Sequence, residues 1–191
     1  MTSNMRHSEI AYIVMCIRIQ GTPHFLLNRH KKWGDWSLVG GHVEAFEHGS
    51  WAKAAAREAQ EELPPLQHGR DFLLVPIFSR PLEWGPEPSR SAQNRPTTYR
   101  AQFFAMEFLV DPASALSRMH SEHLRFVPQS FLERDLHVAA PVRMLCTRLG
   151  GGLTSVPLAC PDSVDRTRIP MQFFDPLASE TQAHPVSREL H

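Results

Sequence analysis

The sequence predicts an α/β domain. Two observations carry this: short apolar, β-branched runs bounded by turn residues recur along the first two thirds of the chain, and they alternate with amphipathic helical segments, the first of them rich in alanine. The 191 residues, 42% hydrophobic and 21% charged, suit one soluble globular domain with room for an appendage. Residues 10–19 (IAYIVMCIRI) read as one buried strand, too short to span a membrane. Gln20-Gly21-Thr22-Pro23 reads as a turn, and residues 25–29 as the hairpin partner. Residues 30–35 form a basic, aromatic loop, and residues 36–39 an extended piece that enters Gly40-Gly41.

A helix is predicted from about Ser50, its N-cap, to Leu63, where Pro64-Pro65 stops it. Ala52, Ala55, Ala56, Ala59 and Leu63 supply its core-facing stripe, small enough for close approach to a sheet. Residues 71–79 form a further apolar segment in which Pro76 argues for an edge strand or a bulge. Residues 80–96 read as a long, proline-containing loop, and residues 97–110 as a long central strand. A shorter strand over 124–128, a helical turn over 128–134 and an amphipathic helix over 140–149 follow, the last ended by Gly150-Gly151-Gly152. Beyond it the periodicity stops. The expected division is a domain over 1–150 and a proline-containing extension over 151–191, either flexible or packed as an irregular flap around Met171, Phe173 and Phe174.

The formal net charge is zero, which removes any global electrostatic case for nucleic acid or an anionic membrane. Cys16, Cys146 and Cys160 are odd in number and widely spaced. They suggest neither a disulfide framework nor a zinc site, and Cys16 reads as a packed thiol. With no transmembrane-length run and no secretory pattern, a cytoplasmic location is expected.

The chemistry concentrates in Gly40-Gly41-His42-Val43-Glu44-Ala45-Phe46-Glu47 and Arg57-Glu58-Ala59-Gln60-Glu61-Glu62-Leu63. Glu58 and Glu62 share one helical face, and Glu61 is three residues from Glu58. Like charges at this spacing repel, and a hard divalent cation such as Mg²⁺ or Mn²⁺ relieves the repulsion while leaving positions for water and phosphate oxygens. A solvated charged stripe is the alternative reading of the glutamates alone.

These residues resemble the Nudix box of the Nudix hydrolase superfamily: Gly41, five residues, Glu47, then Arg57-Glu58-x-x-Glu61-Glu62, within residues 41–63. The chain departs from the pattern twice. Nine residues rather than seven separate Glu47 from Arg57, a two-residue expansion around His48-Gly49, and Pro64 stands where a helix-ending glycine is usual.

The resemblance implies an α/β/α sandwich with a mixed sheet, and Mg²⁺-dependent hydrolysis (Mn²⁺ being an alternative ion) of a pyrophosphate bond in a nucleoside diphosphate-linked substrate. It implies Gly41, through its carbonyl, and Glu58, Glu61 and Glu62 as metal ligands. Glu58, Glu61 and Arg57 form the expected catalytic set, with Glu58 a ligand or the base and Arg57 orienting the glutamates through Glu47 or Glu44. Arg29, Lys31, Lys32 and Arg100 are the basic residues expected near the site mouth, with Trp33, Trp36 or Tyr99 available to stack a base and His42 beside the phosphates. Glu107 or Glu122 would complete the metal cluster. The expected partner is a small nucleotide, not nucleic acid or membrane, and a homodimer is compatible with the family. The competing reading is a silent Nudix-like domain that senses a nucleotide without turnover. Isomerase chemistry ranks lower, because no cysteine adjoins the box.

Overall fold

β8 (Arg95–Phe108), 14 residues long, lies inside the larger of two sheets.

 The structure, a computed structural model, describes residues 5–149 and 164–174. Among these, the larger sheet has five strands. Its order is β5 (Val39–His42), β1 (Arg6–Val14), β8, β6 (Phe72–Pro76), and β7 (Leu82–Ser89) also pairs with β8. β1 runs parallel to β8 and the other pairings are antiparallel, so the sheet is mixed. The smaller sheet has the order β2 (Cys16–Ile19), β3 (Thr22–Arg29), β4 (Trp36–Ser37), with β9 (Leu124–Pro128) also on β3.

The apolar run over 10–19, expected as one strand, is two. β1 ends at Val14 and β2 begins at Cys16 in the other sheet. Buried Met15 is the crossing point, and its carbonyl accepts from Leu26 N at 3.0 Å. Periodicity cannot reveal such a crossing, because both halves are buried on both faces. The β2–β3 turn narrows to Gln20-Gly21, both at positive φ, while Thr22 and Pro23 already belong to the strand.

α1 (Trp51–Glu62) starts as expected, with Ser50 Oγ accepting from Lys53 N at 3.4 Å. It buries Ala54, Ala55 and Ala59, with Leu63 just beyond, against Ala11, Ile13 and Val39. Ala54 replaces Ala52 in the expected stripe: Ala52 is exposed and Ala56 half-buried. The segment over 80–96, expected as a loop, contains β7. The long edge of β8 offers it hydrogen-bonding groups that no local pattern announces, and a register shift between Trp84 and Glu87 accommodates Pro86. A short helix α2 (Pro112–Ser117), capped by Asp111, was also not expected. α3 (Gln129–Arg134) and α4 (Ala140–Arg148) lie where helical segments were predicted. α4 covers the face of the larger sheet opposite α1, with Val142 and Leu145 packed among Ile10, Tyr12, Val14 and Phe103.

The glycine run after α4 and most of the expected extension lie outside the described residues. Residues 164–174 pack on the domain. Val164 N donates to Arg18 O at 2.9 Å, Ile169 and Phe173 are buried, and the Phe173 and Phe174 rings each lie 6.1 Å from that of Phe126. Cys16, expected as a packed thiol, is disulfide-bonded. No helix among the described residues is long and apolar enough to cross a membrane.

Buried Asp71 ties three segments together. It accepts from Arg70 (2.7 Å), from Arg118 after α2 (2.7 Å) and from Gln67 N (2.8 Å). The Arg70 hydrogen bond, then that of Arg118, outweighs the opposing effect of burial and holds the carboxyl below its ordinary value of 3.8. A folded-state pKa lowered in this way stabilises the fold above pH 3.8 and ceases to do so as pH falls below it. Asp71→Asn should therefore cost about 1–2 kcal/mol near neutral pH, discounted for the exposed arginines. Urea denaturation should show the gap between the two proteins closing as pH is lowered through this range; a gap independent of pH would contradict the assignment.

Candidate functional site

Gly40-Gly41 lies on β5, the edge of the larger sheet nearest α1, and each glycine is required for a different reason. Gly40 has φ +138°, and a Cβ there would meet Ala11 O of the neighbouring strand at 2.1 Å. At Gly41 a Cβ would meet Glu58 Oε1 at 2.3 Å. The missing side chain lets the Glu58 carboxylate lie directly on the strand.

Arg57 organises the acidic residues. Its Nε donates to Glu47 Oε1 at 3.0 Å, and Nη1 to Glu58 Oε1 at 2.7 Å and to both Glu61 oxygens at 3.3 Å. Nη2 donates to the carbonyl of His42 at 2.8 Å. The partner across the loop is thus Glu47 and not Glu44. The two extra residues are absorbed where His48 (φ 52°) and Gly49 (φ 74°) take left-handed conformations after a 3-10 turn over Ala45–Glu47. Glu47 also accepts from Glu44 N at 2.7 Å. Burial opposes its ionisation, but the Arg57 and Glu44 hydrogen bonds prevail and hold it below the usual carboxylate range.

Glu58 and Glu62 are shifted the other way. Burial is the main cause for both, opposed at Glu58 by Arg57 and reinforced by neighbouring glutamates. Glu62 is pushed up to about 7, despite hydrogen bonds from Asn28 and from Gly40 N. The Gly40 N bond is 3.3 Å long. Because Asn28 belongs to β3 and Gly40 to β5, Glu62 sits where the two sheets meet. Asn28 had no signal in the sequence, since a polar residue late in a strand is ordinary.

The donor set is rich in hard oxygens and strained by like charge, which fits a divalent cation. Among the described residues, no three His, Cys, Asp or Glu side chains already stand in metal-holding geometry. Arg57 holds Glu58 and Glu61 instead.

The expected substrate-binding residues divide into groups. His42 is exposed at the end of β5; its carbonyl meets Arg57, but its pairing with Ile10 puts its side chain on the face of the sheet away from α1. Arg29 ends β3 just before the 30–35 loop and Lys32 lies in it: Arg29 lies over Trp36 at 5.8 Å and Lys32 over Trp33 at 5.7 Å. Trp33 stacks on His30 with centroids 4.1 Å apart, and Arg90 lies 4.8 Å from its ring while pairing with Asp35. Arg90 was not anticipated. Arg100 is engaged by Glu9 and Glu83, each at 2.9 Å, and lies 5.2 Å from the Trp51 ring at the start of α1. Lys31 is exposed. Of the distal carboxylates, Glu107 has the strand parity of Ala101 and Phe103, on the face away from α1. Glu122 is exposed two residues before Leu124, which pairs with Asn28.

The two glycines separate experimentally. Gly40→Ala should destabilise by about 3 kcal/mol, because backbone opposes the new methyl. Gly41→Ala should cost under about 1 kcal/mol, because the flexible Glu58 end can move aside. Equal losses in urea denaturation would contradict this reading.

A family model described as NUDIX domain matches residues 9–133. Solved structures are similar to this chain at low identity. Caenorhabditis elegans Ap4A hydrolase is 16% identical with a TM-score of 0.50, covering 75% of this chain and 96% of that one. A mutT/nudix family protein from Listeria innocua is 22% identical with a TM-score of 0.47, covering 75% and 90%. The Nudix hydrolase RenU from M. smegmatis is 18% identical with a TM-score of 0.48, covering 81% and 89%. No curated protein matches by sequence. The family match spans well over half of the chain and contains the whole Arg57-centred glutamate cluster, and the chain belongs to the NUDIX domain family.

Proposed function

We propose that this protein is a Mg²⁺-dependent hydrolase of a pyrophosphate bond in a nucleoside diphosphate-linked substrate. The observation that carries the proposal is the Arg57 network, which holds Glu47, Glu58, Glu61 and the His42 carbonyl together beside Glu62. Glu58, Glu61, Glu62 and the Gly41 carbonyl would hold the cation, Mn²⁺ being an alternative. When bound, it supplies charge neutralisation of the diphosphate and a lowered pKa for water.

The chain's own residues do the rest. Arg57 fixes the carboxylates and the β5 backbone relative to each other, so little reorganisation is left for the reaction. Glu58, pressed against Gly41 and raised in pKa by burial, is suited to accept a proton from the attacking water, with Glu61 the alternative base. Arg29 and Lys32 would offer cations to the phosphates from the end of β3 and the loop after it, and the exposed His42 at the end of β5 would be a further contact. Arg100 contributes less to phosphate binding than its charge suggests, because Glu9 and Glu83 already neutralise it.

One observation favours nucleotide sensing without turnover: Arg57 occupies Glu58 and Glu61 directly. Hydrolysis of nucleoside triphosphates, dinucleoside polyphosphates, nucleotide sugars and dinucleotide cofactors, with and without Mg²⁺, separates the readings. Metal-dependent turnover that falls at least about 100-fold in Glu62→Gln is the expected result. Metal-dependent binding with no turnover of any compound would overturn the hydrolase in favour of the sensor.

A further inference from the structure

We propose that Asn28 of β3 is a positioning residue for the divalent cation: it sets the direction of the Glu62 carboxylate without neutralising it. The three glutamates expected as ligands are oriented in two different ways. Glu58 and Glu61 accept hydrogen bonds from the Arg57 guanidinium, and among the described residues Arg57 makes none to Glu62. Glu62 is held instead by two neutral groups, the Asn28 side chain and, at 3.3 Å, Gly40 N. An ionised carboxylate only accepts, so the Asn28 amide is the donor. An arginine in this place would cancel the charge that attracts a cation. An amide fixes the ligand's orientation and leaves its charge available.

Strand geometry puts Asn28 on the same side as the glutamates. Leu26, two residues earlier on β3, lies in the core cluster that holds Ala55 and Ala59 of α1, whereas Phe25 and Leu27 lie in the other cluster. By alternation Asn28 shares the Leu26 face. Its backbone is fixed along both edges, because it pairs with Ser37 of β4 and with Leu124 of β9. The next pair on this face, Leu26 and Phe126, is buried, with the Phe173 ring 6.1 Å from that of Phe126. A donor carried on a strand so constrained keeps its place when a cation enters. The inference deepens the hydrolase reading and takes from it only that the glutamates hold a divalent cation.

Titration with Mn²⁺ alone, read from the electron paramagnetic resonance signal of the free ion, tests the assignment without substrate or turnover. Asn28→Leu keeps the bulk of the side chain and removes the donor; Asn28→Ala removes both. Either should weaken Mn²⁺ binding about tenfold or more. In a Glu62→Gln background, where Glu58 and Glu61 remain as ligands, the same substitution should change binding by less than about twofold, because the carboxylate it orients is gone. A serviceable scaffold residue with no bearing on the cation would instead cost the same in both backgrounds. If Asn28→Leu shows no cooperative urea transition, Asn28→Ala decides. A wild type that binds no Mn²⁺, undiminished binding in the variants, or equal losses in both backgrounds overturns the assignment. Coupling of Asn28 to Glu62 in a protein that hydrolyses nothing would leave Asn28 in its role and remove the hydrolase; metal-dependent turnover without that coupling would do the reverse.

Discussion

The guanidinium of Arg57 is the interaction on which the site depends. It contacts three glutamates and one backbone carbonyl, and these come from the loop after β5, from α1 and from β5 itself. A single planar cation with five donors can hold such a set where a lysine could not, since its donors point in fixed directions. Its own pKa is raised, first by the Glu47 hydrogen bond, so its charge is constant under all working conditions. The carboxylates around it are not equivalent: Glu47 is held ionised, whereas burial makes Glu58 and Glu62 reluctant to ionise. A site with one fixed anion and two strained ones has somewhere to place an added cation.

Around that centre, the fold supplies position through small residues. Ala54, Ala55 and Ala59 bring α1 close to β1 and β5, and Gly41 removes the last side chain between helix and strand. The crossing at Met15 carries the chain from one sheet to the other, and this is what brings Asn28 of the smaller sheet within reach of Glu62. Residues 164–174 close one side of the core through Phe173 against Phe126, so part of the segment beyond the helical region contributes to packing.

Local patterns in the sequence were enough to find α1 with its Ser50 cap, the central strand β8, the short strand β9 and the box residues. Each is specified by neighbours in sequence: a cap, an apolar period, a fixed spacing of charges. The split at Met15, the strand β7 and the burial of Ala54 in place of Ala52 were not legible. β7 forms because β8 presents an open edge, and edge pairing is a property of the partner as much as of the strand. Likewise, nothing in the chain announced that Arg100 would be neutralised by Glu9 and Glu83, which are distant in sequence and meet only across adjacent strands.

By itself, the sequence determined the family, the helix that carries the glutamates and the acidic character of the site, because those depend on residue type and local spacing. The tertiary structure decided that Glu47 rather than Glu44 pairs with Arg57, that Asn28 reaches Glu62, and that Trp84 stacks on Tyr99. Those outcomes depend on strand order and register, which bring together groups far apart in the chain, and no local pattern encodes such long-range pairing.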